Sequence, residues 1–218
     1  MQAPRPKVTV EAEPFIPYVK EADYPAQLKP VLEPYQRRMG FVPNALKLYM
    51  HRPEIAETLW MLNSKIMRDP SSTLDRQLKR KLAAVACSIN GCAYCTAHSC
   101  SMLKKPRGLD GEEGWGLSEA ELQAIVNGTT IPKDDFERVC YDYVRAASTD
   151  PTAVPDELLQ RLGRHLSPPQ VMELACVVGF WKFYNTVHDS LHIPIESSLL
   201  GDTGYVDLAP THAFGNAD

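Results

Sequence analysis

Two cysteines with two residues between them, Cys92 and Cys95, lie in the stretch Asn90-Gly91-Cys92-Ala93-Tyr94-Cys95-Thr96-Ala97-His98-Ser99-Cys100. That stretch holds three of the chain's six cysteines and one of its six histidines. On a helix this spacing puts two thiols on adjacent turns, where they can close a small disulfide or grip a soft metal. The thiolate is the reactive form of cysteine, and a helix N-terminus or nearby cations favour it. Both conditions are written into the sequence. Gly91 suits the left-handed backbone that closes one helix, so Cys92 should begin the next. From Arg76 to Leu109 there is no Asp or Glu, whereas Arg76, Lys79, Arg80, Lys81, Lys104, Lys105 and Arg107 all fall in that window. A redox-active pair is therefore expected at Cys92 and Cys95. His98 reaches Cys95 as an i, i+3 neighbour and is the candidate base. Tyr94 and Ser99, beside the second thiol, are candidates for touching a substrate, although an aromatic at Tyr94 also suits packing.

The run Cys-x-x-Cys-x-x-His-x-Cys also has the form of a zinc string. Ligands drawn from one helix converge poorly on a tetrahedral centre, so no metal is expected, and no cofactor. Cys100 lies roughly 80° round from Cys92 and about two turns along, too far to pair with it unless the helix unwinds. Cys87, Cys140 and Cys176 fall on apolar faces and read as core thiols. Charged help from elsewhere has few sources: Glu54, Glu57, Glu173, His188, Asp189 and His192. His188 and His192 share a helix face only if the last helix runs that far, and they read as a surface or interface pair rather than metal ligands.

The elements that must position these residues follow from periodicity. Residues 1–27 carry five prolines and no sustained period, and are expected to form an extended arm. A short helix is expected from about Val31 to Met39, stopping at Gly40, and another from Ala45 to Met50. Pro53 suits a first helical turn. Behind it Ile55, Leu59, Leu62 and Ile66 form one apolar stripe, and Leu78, Leu82, Val85 and Ile89 form the next. A polar loop through Gly116 precedes a capping box at Ser118 and Glu121. A helix from about Asp134 to Ala147 should turn Phe136, Val139, Cys140, Tyr143 and Val144 inward. Ser167-Pro168-Pro169-Gln170 is the clearest helix start in the chain. The helix it opens, Val171 to about Ser190, is apolar nearly all round and reads as the central buried helix or a subunit interface. No strand hairpin is evident, so the class is all-α. The division is an arm at 1–27, one helical domain at 28–196 and a tail at 197–218.

The 218 residues suffice for one substantial core. Hydrophobic residues make up 44% and charged residues 23%, with mean hydropathy −0.26. A net charge of −4 and a pI near 5.9 give no reason to expect nucleic-acid binding. No apolar run approaches the roughly 20 residues that cross a bilayer. The first residues lack the apolar core of a signal peptide, and the cytoplasm is the expected location.

Gly40-Phe41-Val42-Pro43-Asn44, Arg52-Pro53-Glu54, Asn90-Gly91-Cys92-Ala93-Tyr94-Cys95 and His98 together resemble the carboxymuconolactone decarboxylase family, in its AhpD-like branch of alkylhydroperoxidase and peroxidase-related proteins. Phe183-Tyr184-Asn185-Thr186-Val187-His188 and Leu191-His192-Ile193-Pro194-Ile195-Glu196 are similar to that family's closing helix and its exit. The likeness spans residues 31–196. It implies an AhpD-like helical bundle that assembles into homo-oligomers, and a thiol pair that reduces a hydroperoxide or disulfide substrate. In that chemistry Cys95 attacks, Cys92 resolves the sulfenic acid as a disulfide, and a thiol reductant protein restores both. Two positions depart from the resemblance. Arg80 stands where the relay glutamate belongs, and Ser99 where its histidine belongs, with His98 one residue early. Ser99 projects roughly 40° from Cys95 toward Cys92, and His98 roughly 60° to the other side. Two alternatives stay open: a decarboxylase-like enzyme acting on a non-redox substrate, and an oligomeric redox-sensing or binding protein.

Overall fold

The computed structural model describes residues 13–105 and 114–200. The first twelve residues of the expected arm, Arg107 with most of the polar loop, and the tail from residue 201 lie outside the described residues. Within them the chain is helical throughout: α1 (Lys29–Met39), α2 (Asn44–Tyr49), α3 (Pro53–Arg68), α4 (Arg76–Asn90) and α5 (Ala93–Lys104) form the first half. The second half comprises α6 (Glu119–Val126), α7 (Asp135–Thr149), α8 (Asp156–His165), α9 (Pro168–Ser190) and α10 (Ser197–Leu200). The class is all-α, as expected. Two short 3-10 turns, Glu21–Asp23 and Ala26–Leu28, interrupt the stretch read as an extended arm. At the other end α10, with Leu199 buried, occupies the start of the stretch read as a tail.

Local signals place most helix ends. Gly40 closes α1 and Gly91 closes α4, both in the left-handed region at φ 80 and 81. Only glycine takes that conformation at no steric cost. Asp75 caps α4 by accepting from the Leu78 amide, and Asp134 caps α7 by accepting from Glu137. Ser118 with Glu121, and Ser167 with Gln170, form complete capping boxes. Each such cap stabilises its helix by about 1 kcal/mol.

The helix enclosed on most sides is α4, which packs against α3, α5, α6, α7 and α9. Leu82, Ala83, Ala84, Ala86 and Cys87 are fully buried on it. The alanines keep its surface narrow enough for neighbours on several sides at once. Its cation Lys79 is also fully buried, donating to the carbonyl of Ile66 and to Ser72 Oγ at 2.8 and 2.7 Å. The long helix α9 turns Leu174, Val177, Phe180 and Trp181 into the core, while Met172 and Phe183 stay exposed on its other side.

Three readings of individual faces change. On α3 the buried positions are Ala56, Leu59, Asn63 and Met67, so the helix is rotated from the expected stripe. Ile55 and Leu62 are exposed at 39% and 45%, beside Met61. Two apolar stripes compete on this helix, and the one that wins faces α9 on one side and Tyr35 on the other, where Trp60 packs edge-on at 5.4 Å. On α7, Tyr141 rather than Tyr143 is fully buried. Cys176, expected in the core, is exposed.

Candidate active site

Cys92 is the N-cap of α5, its sulfur accepting from the Cys95 amide at 3.4 Å. The turn is locked from both ends. The Cys92 amide donates to the carbonyl of Cys87, and Thr96 donates to the carbonyl of Cys92 through both its amide and its hydroxyl. Both thiols are buried, at 0% and 1% exposed. The structure thus puts the pair at a helix start, as the sequence reading requires.

The group that meets Cys95 comes from α9. His188 Nδ1 lies 3.1 Å from Cys95 Sγ. The imidazole sits in an aromatic box, stacked on Tyr184 at 5.2 Å and met edge-on by Tyr94 at 5.1 Å. Its Nε2 faces the Tyr49 hydroxyl at 3.4 Å. Burial pushes the His188 pKa down to about 3, and the neighbouring His98 works in the same direction. His188 is therefore neutral at pH 7. In the tautomer that carries its proton on Nε2, facing the Tyr49 hydroxyl, its Nδ1 can accept the Cys95 proton. The thiol in turn is held well above the usual cysteine range, first by burial and then by the adjacent thiols of Cys87 and Cys92. Cys92 is raised as well, by burial and by Asp189 beside it.

His98, the candidate base from sequence, bonds elsewhere. Its Nε2 lies 2.9 Å from Glu196 Oε2. Glu196 is buried just after α9 and accepts two further bonds on its other oxygen. The Tyr94 hydroxyl donates to it at 3.0 Å, and the Asn44 amide donates to the same atom. Burial opposes the charge on Glu196, but His98 and these hydrogen bonds outweigh it and lower its pKa. Tyr94 also accepts from the Ala45 amide at 3.0 Å, so its hydroxyl is committed to the protein. Ser99 is fully buried, and its hydroxyl has no hydrogen-bond partner among the described residues.

A cavity of about 80 Å³ opens at Cys95. Tyr49, Tyr94, Trp181, Tyr184, His98 and His188 contribute to its wall, together with Met102, Arg68 and Arg80. Ser99 and Cys92 do not line it. Arg80, at the position of the missing glutamate, is buried with its guanidinium carbon 5.6 Å from the centre of the Trp181 ring.

Of the outside candidates, only two join the pair. His188 faces Cys95, and Asp189 acts on Cys92 through its charge, which helps to raise the thiol's pKa. Glu54 is exposed and pairs with Arg52, and Glu173 receives a bond from Ser72. His192 does not share a helix face with His188, because α9 ends at Ser190 and His192 sits at φ 50. Cys100 is buried on α5 and does not enter the cavity wall. Sequence reasoning missed Glu196, Tyr49, Arg68, Trp181 and Tyr184 as site residues. The only local signal for Glu196 was an acid directly after an apolar Ile-Pro-Ile exit.

Cys92, Cys95 and His188 bring their ligand atoms within 4.8 Å of one another. This is a sulfur and nitrogen donor set of the kind that holds a soft cation. His98 and Cys100 of the zinc-like string are not part of it.

No protein-family model matches the sequence, and no curated protein matches it either. Solved structures do. The chain is similar to an uncharacterized peroxidase-related protein from Ralstonia eutropha JMP134 with an alkylhydroperoxidase AhpD core, with TM-score 0.73 and 16% identity over 90% of this chain and 98% of that one. A peroxidase-related protein from Silicibacter sp. TM1040 gives 0.71 and 21% identity, covering 92% and 98%. A variant of the debrominase Bmp8, in complex with 2,3,4-tribromopyrrole, gives 0.69 and 21%, covering 93% and 97%. The chain has the AhpD-like all-helical fold.

Proposed function

We propose that the protein is a thiol-dependent oxidoreductase of AhpD-like type, in which Cys95 attacks a hydroperoxide and Cys92 resolves the product. The observation that carries this reading is the 3.1 Å approach of His188 Nδ1 to Cys95 Sγ, with the second thiol one turn away. In the resting site both partners are neutral. His188 takes the thiol proton as sulfur attacks the peroxide O–O bond, acting as a general base rather than as half of a standing ion pair. Cys95 becomes a sulfenic acid, and the departing alkoxide leaves as the alcohol with that proton. Cys92 then forms the Cys92–Cys95 disulfide and releases water, and a dithiol reductant protein restores both thiols with two electrons and two protons. His98, bonded to Glu196 at the cavity wall, sits one ring away from the chemistry and is not the base on Cys95 in this reading. Assembly into homo-oligomers fits the exposed Ile55, Met61 and Leu62 on α3.

The test is peroxide-dependent thiol consumption. Cys95→Ser should abolish it, and His188→Gln should lower kcat/KM by about 10²- to 10⁴-fold. Peptide mapping after peroxide should find Cys92 joined to Cys95. Unchanged turnover in Cys95→Ser would overturn the proposal.

A second reading is reductive dehalogenation by the same two thiols. The aromatic wall of the cavity favours it, as does the likeness to a debrominase. Bromide release from 2,3,4-tribromopyrrole in the presence of a dithiol separates it from peroxide reduction.

A further inference from the structure

The objection to a metal at the cysteine string is that all its ligands come from one helix. The fold removes that objection for a different set of ligands. Cys92 and Cys95 sit at the start of α5 and His188 approaches them from α9, so the donor atoms arrive from two elements. The three donor atoms lie within 4.8 Å of one another, and the edge from Cys95 Sγ to His188 Nδ1 measures 3.1 Å. A tetrahedral zinc ion at ordinary bond lengths needs edges of about 3.8 Å between two sulfurs and about 3.5 Å between sulfur and nitrogen. All three residues are buried.

Their neighbours treat them as ligands are treated. The Cys95 amide donates to Cys92 Sγ at 3.4 Å, which favours negative charge on that sulfur. The Tyr49 hydroxyl meets His188 Nε2, the nitrogen turned away from the sulfurs, and so holds the ring with Nδ1 toward them. Cys95 and His188 line the cavity, which leaves a fourth position open to a water. Charge selects the ion. Two thiolates beside a neutral imidazole carry two negative charges, which a buried site tolerates only when they are cancelled. A soft divalent cation cancels both, whereas monovalent copper leaves one.

We propose that Cys92, Cys95 and His188 form a redox-gated zinc site, holding one Zn²⁺ while the thiols are reduced and releasing it when they join. Closing the disulfide takes two electrons from the sulfurs, and a two-electron oxidant accepts them. With a hydroperoxide the O–O bond breaks, and two solvent protons complete the alcohol and water. Disulfide sulfur is a poor ligand, so the ion leaves. This goes beyond the thiol-oxidoreductase reading and does not need it, since the ligands hold the ion whether or not Cys95 turns over peroxide.

Zinc titration of the reduced full-length protein against a chromophoric chelator, without peroxide, tests the assignment. One ion per chain is expected, with Kd of about 10⁻⁷ M or tighter. Cys92→Ser, Cys95→Ser and His188→Gln should each weaken binding at least about tenfold. Oxidation with diamide should abolish it, and a phosphine reductant should restore it. Cobalt(II) in place of zinc should give a thiolate-to-metal charge-transfer absorption that Cys95→Ser weakens. Cys100→Ser should bind as the wild type does, because Cys100 belongs to the string and not to this set. No binding by the reduced wild type, equal binding after oxidation, or unchanged affinity in His188→Gln would overturn the proposal. So would a loss in Cys100→Ser as large as that in His188→Gln. Should a variant fail to fold, the reduced and oxidised wild type still decide. Zinc binding alongside full peroxide consumption by Cys95→Ser would uphold this proposal while overturning the peroxide reading.

Discussion

At the scale of single residues, Cys95 and His188 are matched in an unusual direction. Burial keeps the thiol protonated and the imidazole neutral, so the site holds a potential nucleophile without paying for a buried charge pair. The sign of the pH effect follows. A thiol whose pKa is raised contributes more thiolate with every step upward in pH until that raised value is reached. Iodoacetamide labelling of Cys95 should therefore climb about tenfold per pH unit from pH 7 to 9 with no plateau, because the thiolate fraction does. Rate measurements with mass-spectrometric readout check this. A plateau near neutrality would mean a standing thiolate and imidazolium, against the geometry described above. His98 was legible in sequence as a neighbour of Cys95 but not as the partner of Glu196, because the competing acceptor lies 98 residues away.

At the scale of elements, α4 carries both the core and the cavity. It supplies Arg80 to the wall and the Gly91 turn that starts α5 at the right place. Leu82→Ala should cost about 2–5 kcal/mol, since a fully enclosed leucine leaves a space that its neighbours cannot refill. Gly91→Ala should cost about 1–2 kcal/mol through its left-handed backbone, and should also disturb the Cys92 cap. Urea denaturation gives both values. Equal costs for Gly91→Ala and a surface Ala substitution would contradict the backbone argument. The α3 stripe shows how periodicity alone misplaces a face. Ile55, Leu59, Leu62 and Ile66 have good helical spacing, but Ala56, Asn63 and Met67 are the residues buried beside Leu59, with Ala56 packed in a cluster with Leu28, Val31, Val42 and Met50. A small residue at the contact lets helices approach, and sequence hydrophobicity does not register that.

At the scale of the whole molecule, the chain returns after α9 to close the site. Ile193 and Ile195 are buried, and Glu196 ties the exit to α2 through Asn44 and to α5 through Tyr94 and His98. Asn44 also donates to the carbonyl of Pro194 at 3.0 Å. Three elements distant in sequence are thus fixed around one carboxylate. Glu196→Leu should destabilise the fold by about 3 kcal/mol, because the Tyr94 hydroxyl and the Asn44 amide lose their buried acceptor and His98 loses its hydrogen bond. Thermal unfolding of Glu196→Gln beside Glu196→Leu checks it. The amide, which keeps one acceptor oxygen, should be the milder change. No helix among the described residues is long and apolar enough to cross a membrane.

The sequence by itself determined the all-helical class, the caps, and the Cys92 and Cys95 pair at a helix start. These depend on spacing and on residues within a turn or two, where local chemistry decides. It also showed that the expected glutamate and histidine were absent from their positions. Only the tertiary structure decided which side chains meet the pair. His188 reaches Cys95 across 93 residues, and Glu196 takes His98 away. Arg80 joins a wall of aromatic rings drawn from α1, α2, α5 and α9. Those relations depend on how helices are rotated against one another. That rotation is set by close packing of small and large side chains, not by any periodicity within one helix.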